Sequence, residues 1–193
     1  MGGTWDKNPG RRAMRISREV SAGLVIDIQE KLFPHMAENE MLLKKCLILM
    51  EGLKILGIPL IYTEQYPRGL GSTIEPVALV MGTDPLVEKT TFSCCDEPGY
   101  LKLMEDYQLK TLIICGIEAH VCVMQTVIDL VEKGYIPVVV EDCISSRYMR
   151  DKHVAIQRMR AEGAVITTCE SILFELTRNS GTDEFKAISR LIK

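Results

Sequence analysis

Cys122 stands where an apolar run passes into a helical one, in Ile113-Ile114-Cys115-Gly116-Ile117-Glu118-Ala119-His120-Val121-Cys122-Val123, and a thiol there can act as a nucleophile. Thr111–Cys115 is short, apolar and β-branched, Gly116 breaks it, and Val123, Val127, Leu130 and Val131 then recur on a helical period. Cys122 therefore falls in the first turn of a helix. Unpaired N–H groups and the positive dipole end there favour thiolate, the reactive form. A second reading stays open, because free cysteine is among the most buried residue types.

Two other side chains could serve such a nucleophile. Asp27 lies in Leu24-Val25-Ile26-Asp27-Ile28-Gln29, an apolar run in which an unpaired carboxylate carries a large desolvation cost. Lys89 follows Leu86-Val87-Glu88 and precedes Thr90-Thr91-Phe92-Ser93. Brought together, the lysine compensates Asp27, Asp27 accepts the thiol proton, and Lys89 holds the thiolate. Each also has an ordinary role available: Asp27 bonding backbone N–H groups at a turn, Lys89 in solvent.

Other constellations point away from cofactors. His35, His120 and His153 are too dispersed for a metal site and form no H-E-x-x-H pair, so no metal is expected. His120 and Cys122, two apart on a helix, point to different sides, which places His120 at the border of a site or at a subunit contact. Gly69-Leu70-Gly71-Ser72-Thr73-Ile74 lacks the third glycine of a dinucleotide fingerprint and reads as a flexible loop. Gly52 and Gly57 have phosphate-loop spacing, but Ile58 stands where lysine is needed. Cys94-Cys95 reads as structural, oxidisable if exposed.

The elements that must position these residues alternate. Strand candidates are Gly23–Ile28, Ile58–Thr63, Leu86–Lys89, Thr111–Cys115, Ile136–Glu141 and Ala164–Thr168. Helices are expected near Glu40–Leu56, Tyr100–Tyr107, Ala119–Lys133, Arg150–Glu162, Glu170–Arg178 and Asp183–Ile192. Short strands apolar on both faces and separated by helices predict an α/β fold: a doubly wound three-layer α/β/α domain with a mostly parallel six-stranded sheet. In such sheets ligands bind beyond the carboxyl ends of the strands, where Asp27, Lys89 and Cys122 all fall.

Composition narrows the partners. The chain's 193 residues are 47% apolar and 25% charged, the balance of one globular domain, expected over 20–193 after a flexible leader, 1–19. A net charge of −3 argues against a nucleic-acid partner, and no apolar run approaches the ~20 residues of a membrane span. Seven cysteines without a C-x-x-C pair suit a reducing compartment, the cytoplasm. The leader carries Lys7, Arg11, Arg12, Arg15 and Arg18 against Asp6, which keeps a mitochondrial location as the alternative.

The segments Val25-Ile26-Asp27-Ile28-Gln29-Glu30, Glu88-Lys89-Thr90-Thr91-Phe92-Ser93 and Gly116-Ile117-Glu118-Ala119-His120-Val121-Cys122 resemble, in order and spacing, the three signatures of the isochorismatase-like cysteine hydrolases. Thr63-Glu64-Gln65-Tyr66-Pro67-Arg68-Gly69-Leu70-Gly71 and Asp142-Cys143-Ile144-Ser145-Ser146-Arg147 resemble the isochorismatase domain-containing subgroup. The resemblance runs from about residue 20 to the end. It implies a Rossmann-like fold and a triad of Asp27 as base, Lys89 as electrostatic partner and Cys122 as nucleophile. It further implies a cis Ile117–Glu118 bond and an oxyanion hole of the Glu118 and Cys122 backbone N–H groups.

The implied reaction is attack on a small amide or related carbonyl, through a thioester that water hydrolyses. Nicotinamidases of this superfamily bind a metal through an aspartate and histidines near the second strand. This chain has Thr63-Glu64-Gln65 there and no histidine following, so neither a metal nor nicotinamide is expected. True isochorismatases cleave a vinyl ether without needing the cysteine, so Cys122 favours acyl transfer. Phe33, Gln65, Tyr66 and Phe92 are candidate walls for the small-molecule substrate. Members of the superfamily commonly form dimers, tetramers or octamers, and a homo-oligomer is expected here. The alternatives are an oligomeric binding or scaffold protein that keeps the fold and, less favoured, a ribonuclease.

Overall fold

A computed structural model describes residues 14–193. Its six strands are β1 (Ser21–Ile26), β2 (Leu60–Gln65), β3 (Leu86–Lys89), β4 (Thr111–Ile117), β5 (Ile136–Ser145) and β6 (Val165–Thr167). They form one sheet in the order β3-β2-β1-β4-β5-β6, every pair parallel. The eight helices described are α1 (Asn39–Ile55), α2 (Pro67–Leu70), α3 (Glu75–Met81), α4 (Pro98–Asp106), α5 (Met124–Glu132), α6 (Met149–Glu162), α7 (Cys169–Thr177) and α8 (Asp183–Leu191).

Side chains alternate across each strand, which divides the core in two. Val25, Leu60, Ile113, Cys115, Val138 and Val140 pack with residues of α1, α3, α7 and α8 on one face. Leu24, Ile26, Ile61, Leu112, Ile114 and Val139 pack with residues of α4, α5 and α6 on the other. The faces follow from handedness: from β1 the chain winds outward through β2 to β3, then returns past β1 to β4 and winds the other way. Right-handed crossovers thereby put α1 and α3 on one side and α5 and α6 on the other, while α7 and α8, after the last strand, return to the α1 side.

The reversal leaves a crevice between the carboxyl ends of β1 and β4. There Gly116 has φ +121°, and a Cβ on it would lie 2.1 Å from the Ile26 carbonyl oxygen. Only glycine permits the two backbones to approach so closely.

The structure corrects several boundaries. The expected helix over Ala119–Lys133 opens with a wide π turn, Ala119–Val123, before α5. β5 runs to Ser145, four residues past its expected end, with an irregularity opposite Ile114–Gly116. The segment read as a flexible loop, Gly69–Ile74, begins in the last residues of α2 and is fastened by a bridge from Gln29 to Thr73, and α3 follows it. Pro67 and Pro76 begin those helices, where a missing N–H costs nothing. Of the leader expected over 1–19, residues 1–13 lie outside the described residues. Nearer the domain, the Ile16 N–H donates to Glu175 at 2.9 Å and Arg18 pairs with Glu184 at 2.9 Å, so this part is held in place.

Candidate active site

Asp27 is the first residue after β1, and its φ of 52° turns it out of the strand into the left-handed region that aspartate tolerates. Its backbone N–H bonds the Thr63 carbonyl at 3.2 Å. Both carboxylate oxygens are occupied: Oδ1 accepts from Thr63 Oγ1 at 2.6 Å and Oδ2 from Lys89 Nζ at 2.7 Å. Neither the Asp27 nor the Lys89 side chain exposes any surface.

Lys89 ends β3, two strands from β1, so its side chain reaches across β2, a span of roughly 10 Å between strand axes. The register explains how it is guided, because Lys89 pairs with Gln65 at the end of β2. Gln65 Oε1 accepts from Nζ at 2.8 Å, and the Thr91 and Phe92 carbonyls accept at 3.2 and 3.3 Å. All the polar neighbours of Nζ are acceptors, an environment that suits only the ammonium. Burial alone would depress its pKa, but the Asp27 carboxylate, both an opposite charge and a hydrogen-bond acceptor, pulls it up and the net direction is upward.

Cys122 is carried to the same place by the π turn after β4, whose bond from the Val123 N–H to the Glu118 carbonyl, 3.2 Å, spans five residues. Such widened turns recur at functional sites. Its thiol faces the Asp27 carboxylate, and its pKa is pushed far up, first by burial and then by the Asp27 charge, with Lys89 pulling the other way. The expected thiolate at a helix start is therefore corrected: burial and a facing carboxylate exceed the dipole, and the resting sulfur is a neutral thiol. Cys94 lies close by. Its thiol is raised to about 11 by burial, with Lys89 lowering it and Asp27 raising it further.

The Ile117–Glu118 peptide is cis, and among the described residues no backbone hydrogen bond outside the helices and strands uses the Glu118 N–H. The Glu118 carboxylate turns aside to Arg147, whose Nε lies 3.4 Å away. His120 Nδ1 lies 2.9 Å from Ser146 Oγ, away from the thiol.

The four candidate wall residues are distributed differently. Gln65 is buried, and its amide is committed to Lys89 and to the Thr90 carbonyl at 2.8 Å. Tyr66, 53% exposed, borders an open cleft of about 390 Å³ together with Pro67, Arg68, Glu88, Lys89, Thr90 and Glu97. Phe92 bonds Lys89 through its carbonyl while the residue as a whole is 54% exposed. Phe33 sits in a short turn, half-buried against the α1 side of the core. A larger surface hollow, about 540 Å³ between Glu38 and Lys44, shares none of these residues.

Sequence reasoning passed over a strap that closes one side of the site. Gln29 Oε1 accepts from the Gln65 N–H at 2.7 Å, and its Nε2 donates to the Gly71 carbonyl at 2.7 Å. The buried Glu64 carboxylate accepts from both the N–H and the hydroxyl of Thr73, at 2.6 and 2.7 Å. The available signal was polarity: Gln29 and Thr63-Glu64-Gln65 are hydrogen-bonding side chains at the ends of apolar strands, and such groups require partners when buried. Among the described residues no group of three or more His, Cys, Asp or Glu side chains is arranged to hold a metal ion.

An all-parallel doubly wound sheet with polar side chains gathered at its carboxyl edge defines the class of Rossmann-like α/β proteins. Comparison narrows this. A family model for the isochorismatase domain matches residues 21–171, and the chain belongs to the isochorismatase family, with its hydrolase fold. It is 37% identical to isochorismatase family protein 1B of Dictyostelium discoideum, over 93% of this chain and 89% of that one. Among solved structures, the MAR1 ribonuclease of Caenorhabditis elegans superposes with a TM-score of 0.87 at 37% identity, covering 93% of this chain and 92% of that one. YcaC of Escherichia coli, described as an octameric hydrolase of unknown specificity, superposes at 0.89 with 23% identity, covering 94% and 91%, a likeness of fold alone.

Proposed function

We propose that this chain is a cysteine hydrolase acting on a small amide or related carbonyl compound, with Cys122 as nucleophile, Asp27 as base and Lys89 as electrostatic partner. The observation that supports the reading is a buried carboxylate and ammonium, Asp27 and Lys89, 2.7 Å apart, with the buried Cys122 thiol close enough for both charges to act on it. Asp27 takes the thiol proton as sulfur bonds to the carbonyl carbon. The Glu118 and Cys122 N–H groups face the oxyanion. Asp27 then returns the proton to the leaving amine as the C–N bond breaks, leaving a thioester. Water, deprotonated by Asp27, attacks the thioester, and the departing sulfur recovers the proton. Lys89 remains an ammonium throughout.

The test is acylation by p-nitrophenyl acetate, a small activated carbonyl compound. The expected result is a burst of nitrophenolate with an acetyl group on the Cys122 peptide, absent in Cys122→Ala. An undiminished burst in Cys122→Ala refutes the reading. Equal, slow labelling of all seven cysteines favours the scaffold alternative. The likeness to the MAR1 ribonuclease supplies a second reading, cleavage of RNA. The same proteins incubated with single-stranded RNA decide it, since RNA cleavage persisting in Cys122→Ala would belong to a different site. Self-association belongs to the proposal as well and is read by light scattering on the eluted protein.

A further inference from the structure

Helix α5 continues the π turn that carries Cys122. Thr126 and Asp129 lie four and seven residues after Cys122, a spacing that puts all three along one side of a helix. Both engage the loop beyond β3. Thr126, fully buried, accepts from the Cys94 N–H at 3.0 Å through its hydroxyl. Asp129 Oδ2 accepts from the hydroxyl of buried Ser93 at 2.5 Å. Ser93 Oγ in turn accepts from the Cys95 N–H at 3.2 Å, and its carbonyl accepts from Thr91 Oγ1 at 2.9 Å. This is the loop whose Thr91 and Phe92 carbonyls hold Lys89 Nζ.

We propose that Thr126 and Asp129 are positioning residues: they clamp the Thr91–Cys94 loop to the nucleophile's own helix, so that the ammonium of Lys89 and the sulfur of Cys122 are fixed by one rigid element. The logic is distance. Lys89 is rooted on the edge strand and Cys122 beyond β4, and three inter-strand spacings lie between them. Independent motion of the two loops would change the separation of charge and sulfur, and a displacement of about 1 Å can cost about 100-fold in rate. A clamp through α5 removes that freedom. The role of Lys89 in acyl transfer rests on the reading above, whereas the clamp itself is a statement about loop and lysine.

Two measurements separate the two. Hydrogen exchange of the Lys89 ammonium, followed by NMR on lysine-labelled protein, reports the clamp directly. Iodoacetamide alkylation of Cys122, followed by peptide mass spectrometry across pH, reports its consequence for the thiol, on which Asp27, Lys89 and Cys94 act. In Asp129→Leu and Thr126→Val the ammonium should exchange at least about tenfold faster, and Cys122 should alkylate about tenfold more slowly, its profile displaced to higher pH. Asp129→Asn and Thr126→Ser keep an acceptor in place and should restore both readouts. If a clamp variant fails to fold, Ser93→Ala breaks the Asp129 contact from the loop side and carries the same expectation. Unchanged Lys89 exchange in folded Asp129→Leu, Thr126→Val or Ser93→Ala protein overturns the proposal. Faster exchange in a protein whose wild-type Cys122 is no more reactive than its other thiols upholds the clamp and defeats the hydrolase reading instead.

Discussion

Replacing Asp27 by asparagine tests the role of the carboxylate most directly, because the two side chains have the same shape. The substituted amide can keep its carbonyl oxygen toward Lys89 and turn its NH₂ group to Thr63, whose hydroxyl rotates to accept. The charge is what disappears. At 2.7 Å and an effective dielectric of about 20, the ion pair is worth roughly 6 kcal/mol of Coulomb energy before desolvation, and stranding one buried partner typically costs about 3–5 kcal/mol of stability. Chemistry should suffer separately. An unperturbed thiol, near 8.5, already requires about 2 kcal/mol to ionise at pH 7, and burial makes Cys122 costlier still. With Asp27 as proton acceptor, acylation by p-nitrophenyl acetate should change little with pH across the neutral range. With the amide in its place, the proton must leave to bulk water, so the rate should fall by about 10²–10⁴ at pH 7 and climb about tenfold per pH unit. Stopped-flow release of nitrophenolate measures both, with urea unfolding as the control for folding. A folded Asp27→Asn protein that acylates within about twofold of wild type at pH 7, with a flat profile, refutes the assignment of Asp27 as base.

Lys89→Met should cost about 3–5 kcal/mol by stranding the Asp27 carboxylate, and the double variant with Asp27→Asn should cost clearly less than the sum, as read by urea midpoints. Alkaline pH should destabilise the protein: Cys94 is held up at about 11, Cys95 at about 12 and Cys122 higher, chiefly by burial. Above about 8.5 the unfolded chain therefore releases thiol protons that the folded chain keeps. Stability should fall by about 1.4 kcal/mol per pH unit for each such thiol, and a urea midpoint constant from pH 7 to 10 would contradict this. The raised pKa of Lys89 acts in the same direction, its contribution being lost as pH rises from about 10.4 through the folded value. Gly116→Ala, which drives a methyl group to 2.1 Å from the Ile26 carbonyl, should destabilise by more than about 4 kcal/mol, visible as loss of soluble protein or a collapsed urea midpoint.

The sheet and its carboxyl edge were legible because apolar runs of five or six residues alternating with helical periods have few other solutions. The positions of Asp27 and Lys89 were legible for the same reason, each being a charge at the end of such a run. What stayed hidden depended on neighbours in space. Gln65 reads as a polar wall until the β2–β3 register sets it beside Lys89. The glycines of Gly69–Gly71 read as flexibility, yet the strap is fixed by Gln29, just beyond β1, and Glu64, in β2. The thiol's protonation state was misjudged because helix position is visible in a sequence whereas the facing Asp27 and the depth of burial are not. Thr126 and Asp129 share the Cys122 periodicity, but only the folded loop shows what they hold.

Keeping the sulfur neutral at rest is consistent with a site buried this deeply. Asp27 and Lys89 together carry no net charge, so with a thiol beside them the cluster is neutral. Moving the thiol proton to Asp27 leaves thiolate, ammonium and carboxylic acid, again with no net charge. In the proposed mechanism the reactive state forms by displacing one proton from sulfur to carboxylate, and burial, which penalises any change of total charge, opposes it little. A thiolate formed by loss of the proton to solvent would instead leave one uncompensated negative charge among atoms with no exposed surface. The same reasoning assigns Lys89 its acceptors: Gln65 Oε1 and two loop carbonyls hold the cation in place while the negative charge moves from carboxylate to sulfur. An ammonium tied only to Asp27 would follow the carboxylate and leave the sulfur unassisted.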